Sequence, residues 1–422
     1  MLPRKKLDIG WADLSYGLAA CLLHKDRKAA QARLEKWWSS EANALATLSV
    51  RSGFDLLLQC LALPRDSEIL VSAITIRDMV RIIERHGLRA VPVDIDPVTC
   101  SLRCDLLARA ITPRSKAILV AHLFGGRMEM DGIADIARHH NLYVFEDCAQ
   151  AYAADGYRGH PRSDAAMFSF GPIKTATALG GAMFSFRDSM LCGSVKKLQS
   201  QYPVQSRRRF FQRVLKYSLL KALSYRLPYS LFAASCKLLR TTPDRIISDA
   251  VRGFAGGDLL RKIRYQPSFA LLALLERRLR RYTPEHLRPR MDAARLASSF
   301  LPGISIMGRQ ARNHSHWVFP IQSKQPDRLV RHLWGEGFDA TRGASSLYAV
   351  PGAGGSGTDA AEARRMIDHV VYLPVDSGAR VTDLRRLAEA VLRFEAADPD
   401  CRAKRALSDQ SGAGTRSKAA ST

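Results

Sequence analysis

With 422 residues, 46% of them hydrophobic, the chain is long enough to bury the cores of one large and one smaller domain. Its 64 basic and 40 acidic residues give a formal net charge of +24, which indicates an affinity for something anionic, such as phospholipid, nucleic acid or a phosphorylated substrate. The 8 cysteines are scattered without paired spacing, which predicts reduced thiols in a cytoplasmic protein and argues against a disulfide or zinc framework. No run of about 18 uncharged apolar residues is present, so no membrane-spanning helix is expected.

The first half of the chain is predicted to hold a helical arm and an α/β domain. Residues 1–44 form the expected arm, because apolar positions recur at helical spacing between residues 11 and 38. In residues 45–204 short apolar runs alternate with helical stretches, which is typical of a mostly parallel sheet covered by helices. The expected strands are 69–76, 90–94, 117–121, 142–145, 165–170 and 181–186. Ligands of such sheets bind beyond the carboxyl ends of the strands.

A strongly basic segment interrupts this pattern. Residues 201–290 contain 20 Lys or Arg and 5 Asp or Glu, so +15 of the total charge of +24 lies here. We predict a basic amphipathic helical insert over residues 205–262, since cations and apolar residues interleave between residues 207 and 240. This insert could lie on an anionic membrane, at the inner face, or be a partly buried helix with a solvated basic face. Nucleic-acid binding is a third, less favoured interpretation, because no known module is recognisable.

The C-terminal part returns to an α/β pattern. Residues 263–396 are predicted to form a connecting helix and a small domain, with strands at 317–321 and 370–374 and helices at 268–282, 327–336 and 382–394. His316, Arg342 and Tyr348 of this domain could meet a substrate, although each also fits a structural role. Residues 397–422 are rich in Ser, Ala, Gly and Lys and are predicted to be disordered.

One carboxylate and one lysine stand out as candidates for chemistry. Asp147 directly follows a predicted strand, and Lys174 lies 27 residues later in a glycine-rich loop between two strands. Chemistry with pyridoxal 5′-phosphate (PLP) needs such a pair. A lysine carries the cofactor as a Schiff base and moves protons, while a carboxylate keeps the pyridine nitrogen protonated. Taken alone, either residue is more simply a solvated charge or a helix cap.

Nearby residues could hold the other parts of this cofactor. Ser169 and the segment Ser52-Gly53-Phe54, which precedes a helical run, could supply hydroxyl and backbone N–H groups to a phosphate. Gln150, about one helical turn after Asp147, could reach the ring hydroxyl. No metal site is expected.

Over residues 45–190 the chain resembles the DegT-type (StrS-like) PLP-dependent sugar aminotransferases. SGFDLLLQCLAL is similar to the start of the family's phosphate-side helix, Ala121-His122-Leu123-Phe124-Gly125 to its Val-His-Leu-aromatic-Gly segment, and FSFGPIKTATALGG to its lysine loop. The resemblance implies an α/β protein of PLP-dependent transferase fold type I, with a mostly parallel seven-stranded sheet, a smaller C-terminal domain and a homodimeric assembly. It assigns the Schiff base to Lys174, the pyridine nitrogen to Asp147, the ring hydroxyl to Gln150, and the phosphate to Ser169, Ser52, Gly53 and Phe54.

The chain also departs from the family pattern. Phe54 replaces a threonine, Ile76 stands where an aromatic ring is common, Gly171 replaces a histidine, and Ala178-Leu179 replaces Gly-Glu. Of the family's Gly-x-Asn-x-Arg segment only Arg264 remains, in RKIRYQ.

The function implied by the resemblance is transfer of an amino group from glutamate to a keto sugar or a related acceptor, either free or lipid-linked. This would serve polysaccharide, glycolipid or secondary-metabolite biosynthesis. A PLP-dependent lyase or dehydratase of the same fold, or a non-catalytic membrane-associated regulatory protein, are the alternatives.

Overall fold

The computed structural model of the chain describes Leu2 and residues 7–23, 25–223, 225, 228, 258–343, 346–352 and 360–397. The α-helices are α1 (Trp11–Leu22), α2 (Arg27–Trp38), α3 (Val50–Leu61), α4 (Arg77–Arg85), α5 (Cys104–Ala110), α6 (Asp131–His139), α7 (Ser189–Ser200), α8 (Arg207–Leu223), α9 (Leu259–Ile263), α10 (Phe269–Arg281), α11 (Arg288–Ser299), α12 (Pro326–Gly335), α13 (Ala361–His369) and α14 (Val381–Ala396). The strands are β1 (Ala44–Thr47), β2 (Glu68–Ser72), β3 (Ile74–Ile76), β4 (Arg89–Val93), β5 (Ser115–Ala121), β6 (Tyr143–Asp147), β7 (Ala165–Ser169), β8 (Ala182–Phe186), β9 (Phe319–Gln322), β10 (Leu347–Ala349) and β11 (Val370–Leu373).

A seven-stranded sheet with the order β1-β8-β7-β6-β5-β2-β4 forms the centre of the large domain. Five neighbouring strands of this sheet are parallel, namely β7, β6, β5, β2 and β4, whereas β8 runs antiparallel to both of its neighbours. The predicted mostly parallel α/β sheet is therefore confirmed. Because β1 is also antiparallel to β8, its carboxyl end lies at the same edge as those of β6 and β7.

Two predicted elements are each divided in the structure. The strand expected at 69–76 is β2 followed by β3, which leaves the large sheet and pairs with β10 of the C-terminal part. The helical stretch expected over residues 11–38 is α1 and α2. Asp26 begins α2 by accepting hydrogen bonds from the backbone N–H groups of Lys28 and Ala29.

The C-terminal part has its own core. β9 and β11 form an antiparallel pair, and buried side chains of α11, α12 and α14 pack against it, among them Ala294, Leu329 and Leu387. α10 connects this part to the large domain and is buried on several sides, because it lies against α1, α2 and α8.

The described part of the basic insert is a half-buried helix. Phe210, Val214 and Tyr217 of α8 are buried in the same core as α1 and α10. The rest of the predicted insert falls largely on residues 229–257, and nearly all of the predicted disordered tail on residues 398–422; both lie outside the described residues. Within the part of the chain that is described, no helix is long and apolar enough to cross a bilayer.

Candidate functional site

The predicted site residues lie at the carboxyl edge of the large sheet. Asp147 is the last residue of β6 and Ser169 the last residue of β7. Lys174 follows β7 in the loop that leads to β8, and α3 begins three residues after β1 ends. Since these strands end at the same edge, the sheet brings the carboxylate, the lysine and the start of α3 together.

Lys174 has a buried amine that faces an aromatic ring. Its Nζ lies 4.1 Å from the centroid of the Trp317 ring, and its backbone N–H donates to the Gly171 carbonyl at 3.0 Å. Burial lowers the pKa of Lys174 from its ordinary 10.5 to about 8; the Asp147 carboxylate opposes this change and the Arg51 guanidinium adds to it. A lysine in this state is partly neutral near pH 8 and can act as a nucleophile.

Asp147 is a buried carboxylate with few donors around it. It is 8% exposed, and its Oδ1 accepts a hydrogen bond of 3.0 Å from the backbone N–H of Ala149. Burial raises its pKa, although the charges of Lys174, His122 and Arg51 act in the opposite direction. Such a group is stabilised by a further cationic hydrogen-bond donor, which a protonated pyridine nitrogen would provide.

Phe54, which was expected to contact the cofactor phosphate, lies in α3 with its side chain in the core. The Phe54 side chain is fully buried and packs edge-on against Phe145 at 6.5 Å. Phe54 is also the fifth residue of α3, so its backbone N–H lies within the helix rather than at its open end. The structure therefore does not bring Phe54 to the phosphate side of the site.

Gly53 and Ser52 occupy the first turn of α3. A Cβ atom on Gly53 would lie 2.2 Å from the Phe184 ring, so glycine is required for α3 to pack on β8. The Ser52 hydroxyl lies 2.9 Å from that of Ser49, whose oxygen also caps the helix by accepting from the Ser52 N–H. These two residues give the helix start its shape, and Ser52 keeps a hydroxyl at it.

Arg51 is a site residue that sequence reasoning missed. It lies in the first turn of α3, and its Nε donates to Asp78 Oδ2 at 2.6 Å. Its charge affects the pKa of both Asp147 and Lys174, so it belongs to the same site. A cation in the first turn of a helix opposes the helix dipole, which costs about 0.3–1 kcal/mol of helix stability. An arginine at this unfavourable position is the sequence signal that could have revealed Arg51 as a functional residue.

Gln150 lies beside Asp147 and is held by the loop that follows β5. Its Oε1 accepts a hydrogen bond of 2.8 Å from the backbone N–H of Phe124. Gly125, next in this loop, has φ +105°, and a Cβ there would lie 2.5 Å from the backbone nitrogen of Trp317. The loop therefore needs glycine for both its conformation and its contact with the C-terminal part.

A buried hydrogen-bond network lies behind Asp147. Glu146 accepts from His122 Nε2 at 2.8 Å, from the Tyr157 hydroxyl at 2.5 Å and from the His160 N–H at 2.6 Å. Burial raises the pKa of Glu146, but hydrogen bonds and charge from His122 outweigh it and lower the pKa to about 2. His122, Glu146 and Cys148 lie close enough together to bind a metal, yet protein donors already satisfy the carboxylate.

Two distant segments hold the lysine loop, and the sequence did not predict either. Trp317 Nε1 donates to the Ile173 carbonyl at 2.8 Å. From the N-terminal arm, Asp8 Oδ2 accepts from the Ala176 N–H at 3.0 Å and from the Tyr282 hydroxyl at 2.7 Å. The N-terminal arm and the C-terminal part thus both hold the loop that carries Lys174.

The remaining candidates lie elsewhere or have structural partners. Arg264 forms a two-pronged ion pair with the buried carboxylate of Asp55 on α3, at 2.9 and 3.0 Å. Arg342 pairs with Asp327 at 3.1 Å. His316 stacks on His314 with 4.1 Å between ring centroids. These contacts explain the residues without a substrate.

Comparison with known sequences finds the same aminotransferase family that the sequence motifs resemble. Residues 31–235 match the sequence profile of the DegT/DnrJ/EryC1/StrS aminotransferase family. GDP-perosamine synthase of Caulobacter vibrioides is 34% identical over 172 residues, which are 40% of this chain and 46% of that protein. The chain likewise spans less than half the length of further curated relatives that it matches.

Comparison with solved structures extends over nearly the whole chain. The aminotransferase TlmJ from Streptoalloteichus hindustanus superposes with a TM-score of 0.69 at 19% identity, covering 94% of this chain and 99% of that one. NtdA from Bacillus subtilis, solved with bound cofactor PMP, has a TM-score of 0.63 at 17% identity, covering 91% and 82%. At these identities the likeness establishes the fold.

Proposed function

We propose that the chain is a PLP-dependent aminotransferase of the DegT/DnrJ/EryC1/StrS family, whose sequence profile matches residues 31–235, and that its cofactor is bound to Lys174. The observation that carries this proposal is the pair formed by Lys174, a half-buried lysine whose desolvated amine has a lowered pKa, and the buried carboxylate of Asp147 at the end of the adjoining strand.

The residues present fit PLP at each part of the molecule. Asp147 is a buried carboxylate that a protonated ring nitrogen would stabilise. At the phosphate end, the first turn of α3 brings the positive end of the helix dipole, the Arg51 guanidinium and the Ser52 hydroxyl together. Ser169, whose hydroxyl accepts weakly from Gly171 N–H at 3.4 Å, lies near Lys174. By the family resemblance, Gln150 would meet the ring hydroxyl.

PLP, when bound, supplies the electron sink that allows a bond at the substrate's α-carbon to break. Lys174 Nζ then takes the proton from that carbon and returns it at the neighbouring position, which a pKa of about 8 allows near neutral pH. Asp147 keeps the ring nitrogen protonated through its carboxylate. The Trp317 ring excludes water from the amine that it covers, and the loop around Gly125 packs against the backbone of Trp317.

The substrates follow from the relatives rather than from the geometry. We propose glutamate as the amino donor and a keto sugar or a related compound, free or lipid-linked, as the acceptor, in polysaccharide, glycolipid or secondary-metabolite biosynthesis. GDP-perosamine synthase, a matched relative, is named for an amino sugar product. We further propose a homodimer in the cytoplasm, as is usual for the family.

The test is the half-reaction with glutamate. The full chain with PLP is expected to show an absorbance band at about 410–430 nm, which glutamate converts to a band at about 330 nm. A 410–430 nm band that glutamate leaves unchanged, while another amino acid is eliminated or decarboxylated, would favour the lyase alternative. The absence of any band would favour the regulatory alternative. A screen of keto-sugar acceptors that restore the first band would then identify the substrate class.

A further inference from the structure

Two neighbouring helices, α1 and α8, expose large apolar side chains on one surface. Trp11 is 45% exposed, Leu22 73%, Leu215 55% and Leu219 65%. Side chains of this size usually expose far less, and a contiguous group of them marks an interaction surface. We define the α1–α8 face as the exposed residues Trp11, Leu22, Leu23, Leu215, Leu219 and Tyr225 together with the cations between them.

Contacts at both ends make this face continuous. The Arg207 guanidinium at the start of α8 donates to the Leu23 carbonyl at the end of α1, at 3.2 Å. At the other end, Trp11 Nε1 donates to the Tyr225 hydroxyl at 3.1 Å. The two helices therefore run antiparallel side by side, with α10 beneath both of them.

The face is not an incompletely packed core. The opposite side of α8 places Phe210 and Val214 in the core at 0% exposure, and Leu14 of α1 is 1% exposed in the same core. Each helix thus has a fully packed inner side as well as an apolar outer side. The outer apolar residues do nothing for this core, so their exposure needs another explanation.

The charge of the face is of one sign. Arg208, Arg209 and Lys216 are exposed on α8, and the sequence from residue 207 to 223 contains no Asp or Glu. The acidic residue of α1, Asp13, is buried beneath the face, where it pairs with Arg277 and Arg278. Leucines and an indole surrounded by cations are the combination that anionic lipid interfaces bind.

We propose that the α1–α8 face docks the protein onto an anionic phospholipid surface, with Leu22, Leu215 and Leu219 entering the interface and the α8 cations contacting lipid phosphates. A second copy of the chain fits less well, because a two-fold pairing would set the same cations against each other. Nucleic acid fits less well, because exposed leucines gain nothing from a phosphate backbone.

The lysine loop lies against the inner side of α8, opposite the docked face. There Arg213 of α8 donates through NH1 to the Leu179 carbonyl at 3.3 Å, and Leu179 lies in the loop that carries Lys174. The docking itself does not depend on the proposed reaction, because it uses none of the site residues.

The experiment is co-sedimentation of the full chain with vesicles. Vesicles of phosphatidylcholine with about 30% phosphatidylglycerol should bind the protein, and pure phosphatidylcholine should not. Each of the single variants Arg208→Gln, Arg209→Gln and Lys216→Gln should weaken vesicle binding about fivefold. The variant with all three changes should weaken it about a hundredfold. Leu215→Ser with Leu219→Ser should also weaken it, by at least tenfold. Trp11 fluorescence should shift to the blue on binding, and Trp11→Phe should remove that shift.

Matched controls come from other surfaces. Met190→Ser removes an apolar side chain that is 79% exposed on α7, and Arg309→Gln removes an exposed cation of the C-terminal part; both should bind vesicles as the natural chain does. Failure of the natural chain to bind, equal binding to neutral vesicles, or unchanged binding by the α8 variants would overturn the proposal. A change of Leu215→Ser/Leu219→Ser from dimer to monomer would instead assign the face to a second copy. The PLP absorbance band is measured independently of vesicle binding and should persist in each of these cases. Failure of the docking proposal can therefore be distinguished from failure of the proposed reaction.

Discussion

The amine of Lys174 lies 4.1 Å from the centroid of the Trp317 indole ring, and the same indole donates its N–H to the Ile173 carbonyl at 2.8 Å. One side chain of the C-terminal part thus covers the amine and also fixes the loop that carries it. Trp317 is 3% exposed, so it is a main reason why the amine is kept from water.

This contact predicts the pH dependence of PLP attachment. The neutral amine is the reactive form, and a pKa lowered to about 8 means that attachment rises with pH around pH 8 rather than above pH 10. Trp317→Leu should move the midpoint upward, because burial, the largest cause of the lowered pKa, is relieved. Loss of the cation–π contact acts in the opposite direction by about 0.5–2 kcal/mol, or about 0.4–1.5 pKa units, so the observed upward shift is what remains after this loss.

The measurement is the rate of PLP attachment from pH 6 to 10, normalised to a free lysine derivative in the same buffers. Trp317→Phe keeps a ring over the amine and should retain a midpoint near that of the natural chain. Equal midpoints for the Leu and Phe variants would show that the ring does not control the amine.

Asp147→Asn should separate cofactor attachment from catalysis. The variant keeps the shape of the site and retains Lys174, so the 410–430 nm band should still form. The glutamate half-reaction should slow by about a hundredfold or more, since an amide cannot hold the ring nitrogen protonated. Single-turnover absorbance measures this rate. Asp155→Asn, at the partly exposed carboxylate that pairs with Arg127, is the control that should react nearly normally.

Arg51 should contribute specifically to the phosphate end of the cofactor. Arg51→Gln is expected to weaken PLP binding about tenfold, in line with the loss of one charge-assisted contact. Binding of pyridoxal, which lacks the phosphate, should change little. The ratio of the two dissociation constants, measured by absorbance titration, is therefore the readout.

Arg81 offers the control for this change. It approaches the same carboxylate, Asp78, at 3.7 Å but is 63% exposed. Arg81→Gln should leave the ratio unaltered. An equal loss of PLP and pyridoxal affinity in Arg51→Gln would mean that the arginine only supports the fold.

The N-terminal arm should stabilise the lysine loop. Asp8→Ala removes the acceptor of the Ala176 N–H and of the Tyr282 hydroxyl, and it should lower the free energy of unfolding by about 2 kcal/mol. Urea denaturation measures this loss. Asp105→Ala, at an exposed carboxylate paired with Arg103, should cause no measurable change. Equal stability of both variants would contradict the role of the arm.

The sequence predicted the sheet well where the signal is local. Asp147 and Lys174 lie within one continuous run of strands and loops, and their position at strand ends follows from the alternating pattern. Trp317 could not be found in this way, because its partner Ile173 is 144 residues away in the chain. Asp8 is likewise far away in the chain, 168 residues from Ala176 of the loop that it holds.

Other differences have local physical causes. β1 was missed because four residues carry too little periodicity for a prediction. The role expected of Phe54 does not fit the structure, since an aromatic side chain at that position turns into the core against Phe145. On α8 the sequence left a buried helix and a surface-binding helix as alternatives, and the structure shows a buried side on the same helix as an exposed apolar side.

Covalent attachment of PLP to Lys174 is measured by borohydride reduction. The full chain is incubated with PLP, reduced, digested and mapped by mass spectrometry. We expect a single phosphopyridoxyl group on the peptide that contains Lys174, and no label or band at about 410–430 nm in Lys174→Ala. Label on other lysines at the same level in both proteins, or none on Lys174, would contradict it.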